Sequence, residues 1–225
     1  MRLLSSLLAP IRRRSLAREI MASDIVCLNL GAGGTAYPGW ISAEQYQLDI
    51  TKPSDFAYFF RQKKISKILA EHVVEHVYED DFRGFLCSVK QYLEPMANIR
   101  IAVPDAYHPS GYVRELTKPG GLEPGAEDHK VFYDVDRMRE IALETDYHFE
   151  SIEFFDIDGL FHSKLLDWNN GYISRSSTEY AGRFTYSEDE HKKMFESIPT
   201  QLRGQFLDIG ISYTSLIVDF QNTNP

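Results

Sequence analysis

An apolar run, Ile25 to Leu30 (IVCLNL), leads without a break into Gly31-Ala32-Gly33-Gly34. No other junction in the chain restricts the fold as much. A nearly continuous apolar run bounded by glycine has the pattern of a strand buried on both faces. Glycines directly behind such a strand permit positive φ and let a ligand approach the backbone closely. A second apolar run, Ile65 to Ala70, ends in Glu71-His72-Val73-Val74-Glu75-His76. Two strands ending in such clusters suggest a nucleoside cofactor held at the carboxyl ends of a parallel sheet.

The remaining chain supplies the other elements. Trp40 to Ala43 reads as a short strand ending at Glu44, and Gln47 to Ile50 as a third strand stopped by Thr51-Lys52-Pro53. Ser54 to Lys64 carries Phe56, Phe59 and Phe60 on one helical face. Asp80 to Leu93 is the clearest helix, with Phe82, Phe85, Leu86, Val89 and Leu93 at helical spacing. Ile99 to Val103 is a strand ending at Pro104-Asp105. Ala106 to Lys130, rich in proline and glycine, reads as a short helix and a mobile loop. Asp134 or Asp136 caps a helix running to about Thr145. Phe149 to Ile157 and Ile211 to Phe220 are strands.

This alternation predicts a Rossmann-like, doubly wound α/β sheet, mostly parallel. No helix obviously precedes the last strand, so it is expected to return antiparallel to the strand at 149–157. Only nine residues separate Leu30 from Trp40, fewer than a parallel crossover usually needs. The first connection is therefore a loop without a full helix, or these segments are not all strands. A missing helix after Gly34 also weighs against a dinucleotide, whose pyrophosphate rests on that helix's N-terminus.

A chain of 225 residues suits one domain. The expected division is a basic amphipathic segment, 1–22, and a domain, 23–225, with an insertion at about 158–210. The net charge of -9 weighs against nucleic acid as a partner, because phosphate binding relies on Lys and Arg. Cys27 and Cys87 sit in apolar company and read as buried thiols of a reducing compartment, the cytoplasm. No apolar run is long enough to cross a bilayer. Residues 1–20 are rich in Arg, Leu and Ser. That composition suits a transit peptide, or a helix packed on the domain or touching an anionic membrane surface; the second is favoured.

The ordered set LNLGAGG…GWISAE, LDITKP, KILAEHVVEH and IRIAVPD resembles class I S-adenosylmethionine-dependent methyltransferases. It is similar in particular to small methyltransferases associated with surface-polysaccharide genes. The similarity covers about residues 25 to 157 and returns at YTSLIVD. It implies a sheet whose last strand is antiparallel and a site for S-adenosylmethionine. By this resemblance Gly31, Ala32 and Gly33 lie against the methionine part, and Asn29 stands where many relatives have an acid. Glu44 holds the ribose hydroxyls, Asp49 and Ile50 meet the adenine, and Glu71 and His72 open toward the reactive methyl. The implied reaction is O-methylation of a sugar or glycan precursor; a non-catalytic methyltransferase-like binding module is the alternative.

Candidates for acid–base work are His76, Asp105 and His129. Asp105 serves equally well as a helix N-cap, and His129 as a surface histidine. His108 reads as a solvated loop residue. Tyr172, Arg175, Tyr180 and Arg183 suit a sugar or an anion. His72-Val73-Val74-Glu75-His76 also matches the H-x-x-E-H pattern of zinc peptidases. That chemistry needs both histidines on one helical face and a third ligand. Here an apolar strand enters the motif directly, so no metal is expected and a zinc hydrolase is the weakest alternative.

Overall fold

The computed structural model describes residues 2–164, 167–171, 173, 187–206 and 215–223. Strand β1, Cys27–Leu30, lies at the junction where the sequence places it, and β2 is Ile41–Ala43. Leu28 pairs with Ile41 and Leu30 with Ala43, in parallel. The link from Gly31 to Trp40 contains no helix. Left-handed Gly31, Gly33, Gly34 and Gly39 turn the chain through it. The minimal crossover is thus real, and both flanking segments are strands.

Gln47 to Ile50 is not a strand. Its backbone closes on itself, Gln47 N and Leu48 N both donating to Glu44 O. Next come α2, Pro53–Phe59, β3, Ile65–Glu71, and α3, Glu79–Val89. Helix α2 stops before the basic residues expected at its end, and α3 passes into a single 3-10 turn at Lys90–Tyr92. Strand β4 is Leu93–Pro104 and α4 is Gly111–Thr117. Helix α5, Val135–Glu144, is capped by Asp134, whose side chain accepts from Arg137 N. Strand β5 is His148–Phe155 and β6 is Phe161–Ser163. Helix α6 is Glu188–Glu196, opened by a Ser187–Glu190 capping box, and β7 is Ser215–Gln221.

Among the described residues, seven strands form one sheet in the order β2-β1-β3-β4-β7-β5-β6. β1, β2, β3 and β4 run parallel, and β7 runs antiparallel between β4 and β5. The hairpin strand β6 completes the edge. The fold is a Rossmann-like α/β sheet, mostly parallel, with its last strand antiparallel. The described part of the insertion supplies β6 and α6.

The two faces of the sheet differ, because successive side chains in a strand point oppositely. On one face Leu28, Leu30, Ile68, Ile99, Ile101, Val218 and Phe220 join a core with Phe56, Phe82, Phe85, Met138 and Ile141 of α2, α3 and α5. Leu16 and Ile20 of α1, Arg2–Ala22, belong to the same core. Arg13 donates to both carboxylate oxygens of Asp55, at 2.9 and 3.0 Å. The N-terminal helix is therefore packed on the sheet.

The other face carries Asn29, Leu69, Arg100, Ala102 and Asp219. Arg100 is 1% exposed and forms a two-pronged pair with Asp219, Nε–Oδ1 2.8 Å and Nη2–Oδ2 2.7 Å. Its Nη1 donates to the carbonyls of Asp167 and Gly171. A guanidinium on this face thus holds both ends of the 3-10 turn Trp168–Asn170. No helix among the described residues is long and apolar enough to cross a membrane.

The cysteines depart from expectation. Cys27 is half-buried and Cys87 exposed, and neither forms a disulfide. Cys87 follows the buried pair Phe85 and Leu86 on α3 and points to the opposite, outer side.

Candidate functional site

A cavity of about 260 Å³ opens at the carboxyl ends of β1, β2 and β3. Ligands in open α/β sheets bind at this end. Leu30 lines it from the end of β1 and Gly31 from the turn behind that strand. Leu48, Asp49 and Ile50 line it from the turn after β2, and His72 and His76 from the segment after β3. Its size falls just below the ~300–1,000 Å³ usual for small-molecule sites.

Gly31 is closely packed against Val73. Its φ is +61°, and a Cβ built there would lie 2.6 Å from Val73 Cγ2. Its N–H donates to Ala43 O at 2.8 Å, which ties the ends of β1 and β2 together. Gly33 and Gly34 also have positive φ. Ala32 is buried, and its carbonyl accepts from Thr35 N at 2.8 Å. Glu44 folds back so that Oε1 accepts from Gly34 N at 3.3 Å. The glycine turn and the acid after β2 are thereby brought together.

Asp49 is 8% exposed. Burial alone would raise its pKa. Lys52 Nζ at 3.0 Å, with the hydroxyl and N–H of Thr51, outweighs that and holds the carboxyl below its usual range. Ile50 stands beside it as an apolar wall. Asn29 is buried on the sheet face, 3.4 Å from Thr35 Oγ1, and is not among the lining residues. Glu71 ends β3 and is likewise outside the lining, as are Ala32, Gly33, Glu44 and His129.

His72 is a left-handed non-glycine residue, with φ +53°. This uncommon backbone for a non-glycine residue turns the chain at the end of β3, where His72 N still donates to Ala102 O. Its Nδ1 lies 3.0 Å from Glu75 Oε1. Partial burial disfavours the charged ring, but the Glu75 bond and the charges of Glu75 and Glu71 prevail and lift the pKa to about 9. Val74–His76 is a 3-10 turn. The H-x-x-E-H motif is therefore not helical, and its histidines do not share a helical face.

His76 and His129 meet edge to face, with ring centroids 4.7 Å apart. Burial lowers the pKa of His76, and His129 adds to the effect, against the pull of Glu75. His129 lies in the loop read as mobile. The loop is closed by backbone bonds, Gly120 N to Ala126 O, Glu123 N to Leu116 O and Lys130 N to Glu75 O.

Asp105 and His108 are structural. Asp105 is 1% exposed and does not line the cavity. Its two oxygens accept from Tyr107 N at 2.9 Å and Phe155 N at 2.8 Å, which pins the loop after β4 to β5. It caps no helix, because Ser110 caps α4. His108 is fully buried between Phe155 and Phe206 rather than solvated, and its Nδ1 accepts from Ser110 N. Tyr172, Arg175, Tyr180 and Arg183 lie outside the described residues.

Burial raises the pKa of Asp105 to about 7, against the two N–H donors. An unfolded aspartate ionises near pH 3.9. Between these values the folded chain holds one proton more than the unfolded chain, so this group's contribution falls as pH rises. Denaturant titrations are expected to show stability present at pH 4 and lost by about pH 7. Asp105→Asn is expected to be less stable at both ends, because an amide accepts from only one of the two N–H groups, and to lack that slope.

No protein-family model and no curated protein matches the chain. Among solved structures it is similar to a SAM-dependent methyltransferase from Archaeoglobus fulgidus, at 10% identity over 97% of this chain and 98% of that one, TM-score 0.46. A SAM-dependent methyltransferase from Thermotoga maritima is similar at 9% identity over 97% and 92% of the two chains, TM-score 0.46. The YcgJ protein of Bacillus subtilis is similar at 12% identity over 94% and 99%, TM-score 0.44. The fold assignment rests on the strand order, not on these superpositions.

Proposed function

We propose that this chain is an S-adenosylmethionine-dependent methyltransferase that acts on an oxygen nucleophile, with a sugar or glycan precursor as acceptor. The observation that carries the reading is the cavity at the ends of β1, β2 and β3, lined by Gly31, Asp49, Ile50 and His72. The residues present fit this cofactor. Gly31 leaves its backbone bare, Leu48 and Ile50 offer apolar surface to a purine, and Glu44 and Asp49 retain lone pairs for hydroxyl and amino donors. No helix N-terminus opens after Gly34, which suits a nucleoside without phosphate.

S-Adenosylmethionine supplies a methyl group activated on a sulfonium. The chain contributes alignment of the acceptor and a place for the acceptor's proton. His76 lines the cavity, and burial favours its neutral form, so in the metal-free chain it is the base this reading selects. The sugar acceptor rests on the sequence resemblance alone.

Calorimetric titration with S-adenosylmethionine tests the reading. Wild type is expected to bind, with Glu44→Ala and Asp49→Asn each weaker by about tenfold, the equivalent of about 1.4 kcal/mol. Absence of binding by folded wild type removes the cofactor. Binding without methylation across a panel of sugar hydroxyls leaves a non-catalytic module.

A further inference from the structure

We infer that Glu75, His76 and His129 form a binding site for one divalent transition-metal ion beside the cavity. Among the described residues, one ligand atom from each lies within 4.8 Å of the other two. Three independent features point to a cation. Glu75 is 1% exposed, and while Oε1 meets His72 Nδ1, Oε2 is buried without any hydrogen-bond partner. A buried carboxylate oxygen left unsatisfied is costly, and a bound cation would satisfy it.

The second feature is the tautomer of His129. Its Nδ1 lies 2.8 Å from Thr117 O. A carbonyl only accepts, so Nδ1 carries the hydrogen and Nε2 holds the lone pair. Metal-binding histidines are oriented in this way, by donating their other N–H to a carbonyl or carboxylate. His72 orients Glu75 from behind in the same manner.

The third feature is the construction of the cluster. Glu75 O accepts from Lys130 N at 2.6 Å, which holds the loop bearing His129 over the 3-10 turn bearing Glu75 and His76. Two elements far apart in sequence are thus clamped with their donors converging. Metal–ligand bonds of about 2.0–2.2 Å require the donors to draw together slightly, a rotation of the partly exposed imidazoles. Two imidazoles and one carboxylate suit Zn²⁺, Co²⁺ or Fe²⁺ rather than Mg²⁺ or Ca²⁺, which favour oxygen. Three protein ligands leave coordination positions open, and His76 lines the cavity. These ligands are not the H-x-x-E-H set, because His72 serves as an outer partner and His129 replaces it.

The test uses the full chain, freed of metal by a chelator and without S-adenosylmethionine, so that it is independent of the methyl-transfer reading. Co²⁺ is titrated by its visible absorption and Zn²⁺ by calorimetry, with Mg²⁺ as contrast. One equivalent of Co²⁺ or Zn²⁺ per chain is expected, with no comparable uptake of Mg²⁺. His129→Ala and Glu75→Gln are each expected to weaken uptake at least about tenfold, and His162→Ala, in the β5–β6 hairpin, to leave it unchanged. His129 is only partly buried, so its variant remains informative if Glu75→Gln fails to fold. No stoichiometric uptake by wild type, or uptake unchanged in folded His129→Ala, overturns the site.

Discussion

Gly31→Val is expected to abolish binding of S-adenosylmethionine and to lower the unfolding free energy by about 2–6 kcal/mol. Two costs combine. A non-glycine residue held at φ +61° costs about 1–3 kcal/mol, and a β-branched one is worse placed there than most. Forcing a side chain into a filled space costs about 1–3 kcal/mol more. The obstacle is specific, since Val73 Cγ2 would stand 2.6 Å from the new Cβ. Gly31→Ala in a Val73→Ala background should therefore regain the steric part and none of the backbone part. Urea titration of the four proteins of that cycle measures the coupling, expected at roughly 0.5–3 kcal/mol. Equal destabilisation by Gly31→Ala in both backgrounds would show that the contact with Val73 does not matter.

The second large effect is expected away from the cavity. Asp219→Ala leaves the Arg100 guanidinium, 1% exposed, without its counter-charge. Breaking a buried pair by removing one partner costs about 3–5 kcal/mol. Replacing both members by Met and Leu removes the buried charge and should recover most of that loss. Recovery should be incomplete, because Arg100 also donates to the carbonyls of Asp167 and Gly171. Leaving such acceptors unsatisfied costs about 1–3 kcal/mol. Chemical denaturation checks the order, with the double variant between wild type and Asp219→Ala. A double variant no more stable than Asp219→Ala would place the energy in the carbonyl contacts and not in the ion pair.

The placement of these residues shows which parts of the fold were legible in the sequence. The apolar run ending at Leu30, the run ending at Glu71 and the helix at Phe82–Val89 are periodic over their own length, and each adopts the structure its pattern predicts. The antiparallel return of β7 was expected because no helical period is visible before it; the direction holds, although α6 does precede β7. By contrast, Gln47 to Ile50 alternates as a strand does, yet it forms a turn. Leu48, Asp49 and Ile50 are all buried there, and Arg13, 34 residues earlier, reaches Gln47 O. A period of two cannot register a partner that distant. His108 has the local sequence of a loop, and its burial is decided by Phe155 and Phe206.

The candidate site divides along the same line. Local sequence determined the glycine turn after β1, the acid after β2 and the histidines after β3, because each lies within a few residues of a strand end and the strands are locally encoded. Only the tertiary structure decided which of these groups meet. It turned Asp105 inward to two backbone N–H groups, left Asn29, Ala32, Gly33, Glu44 and Glu71 outside the cavity lining, and pinned α1 to the sheet. It also brought His129 onto His76 through the bond from Lys130 N to Glu75 O, 55 residues apart in sequence. Contacts across such separations depend on how the sheet and its loops close in space, and no period or motif in the chain records that closure.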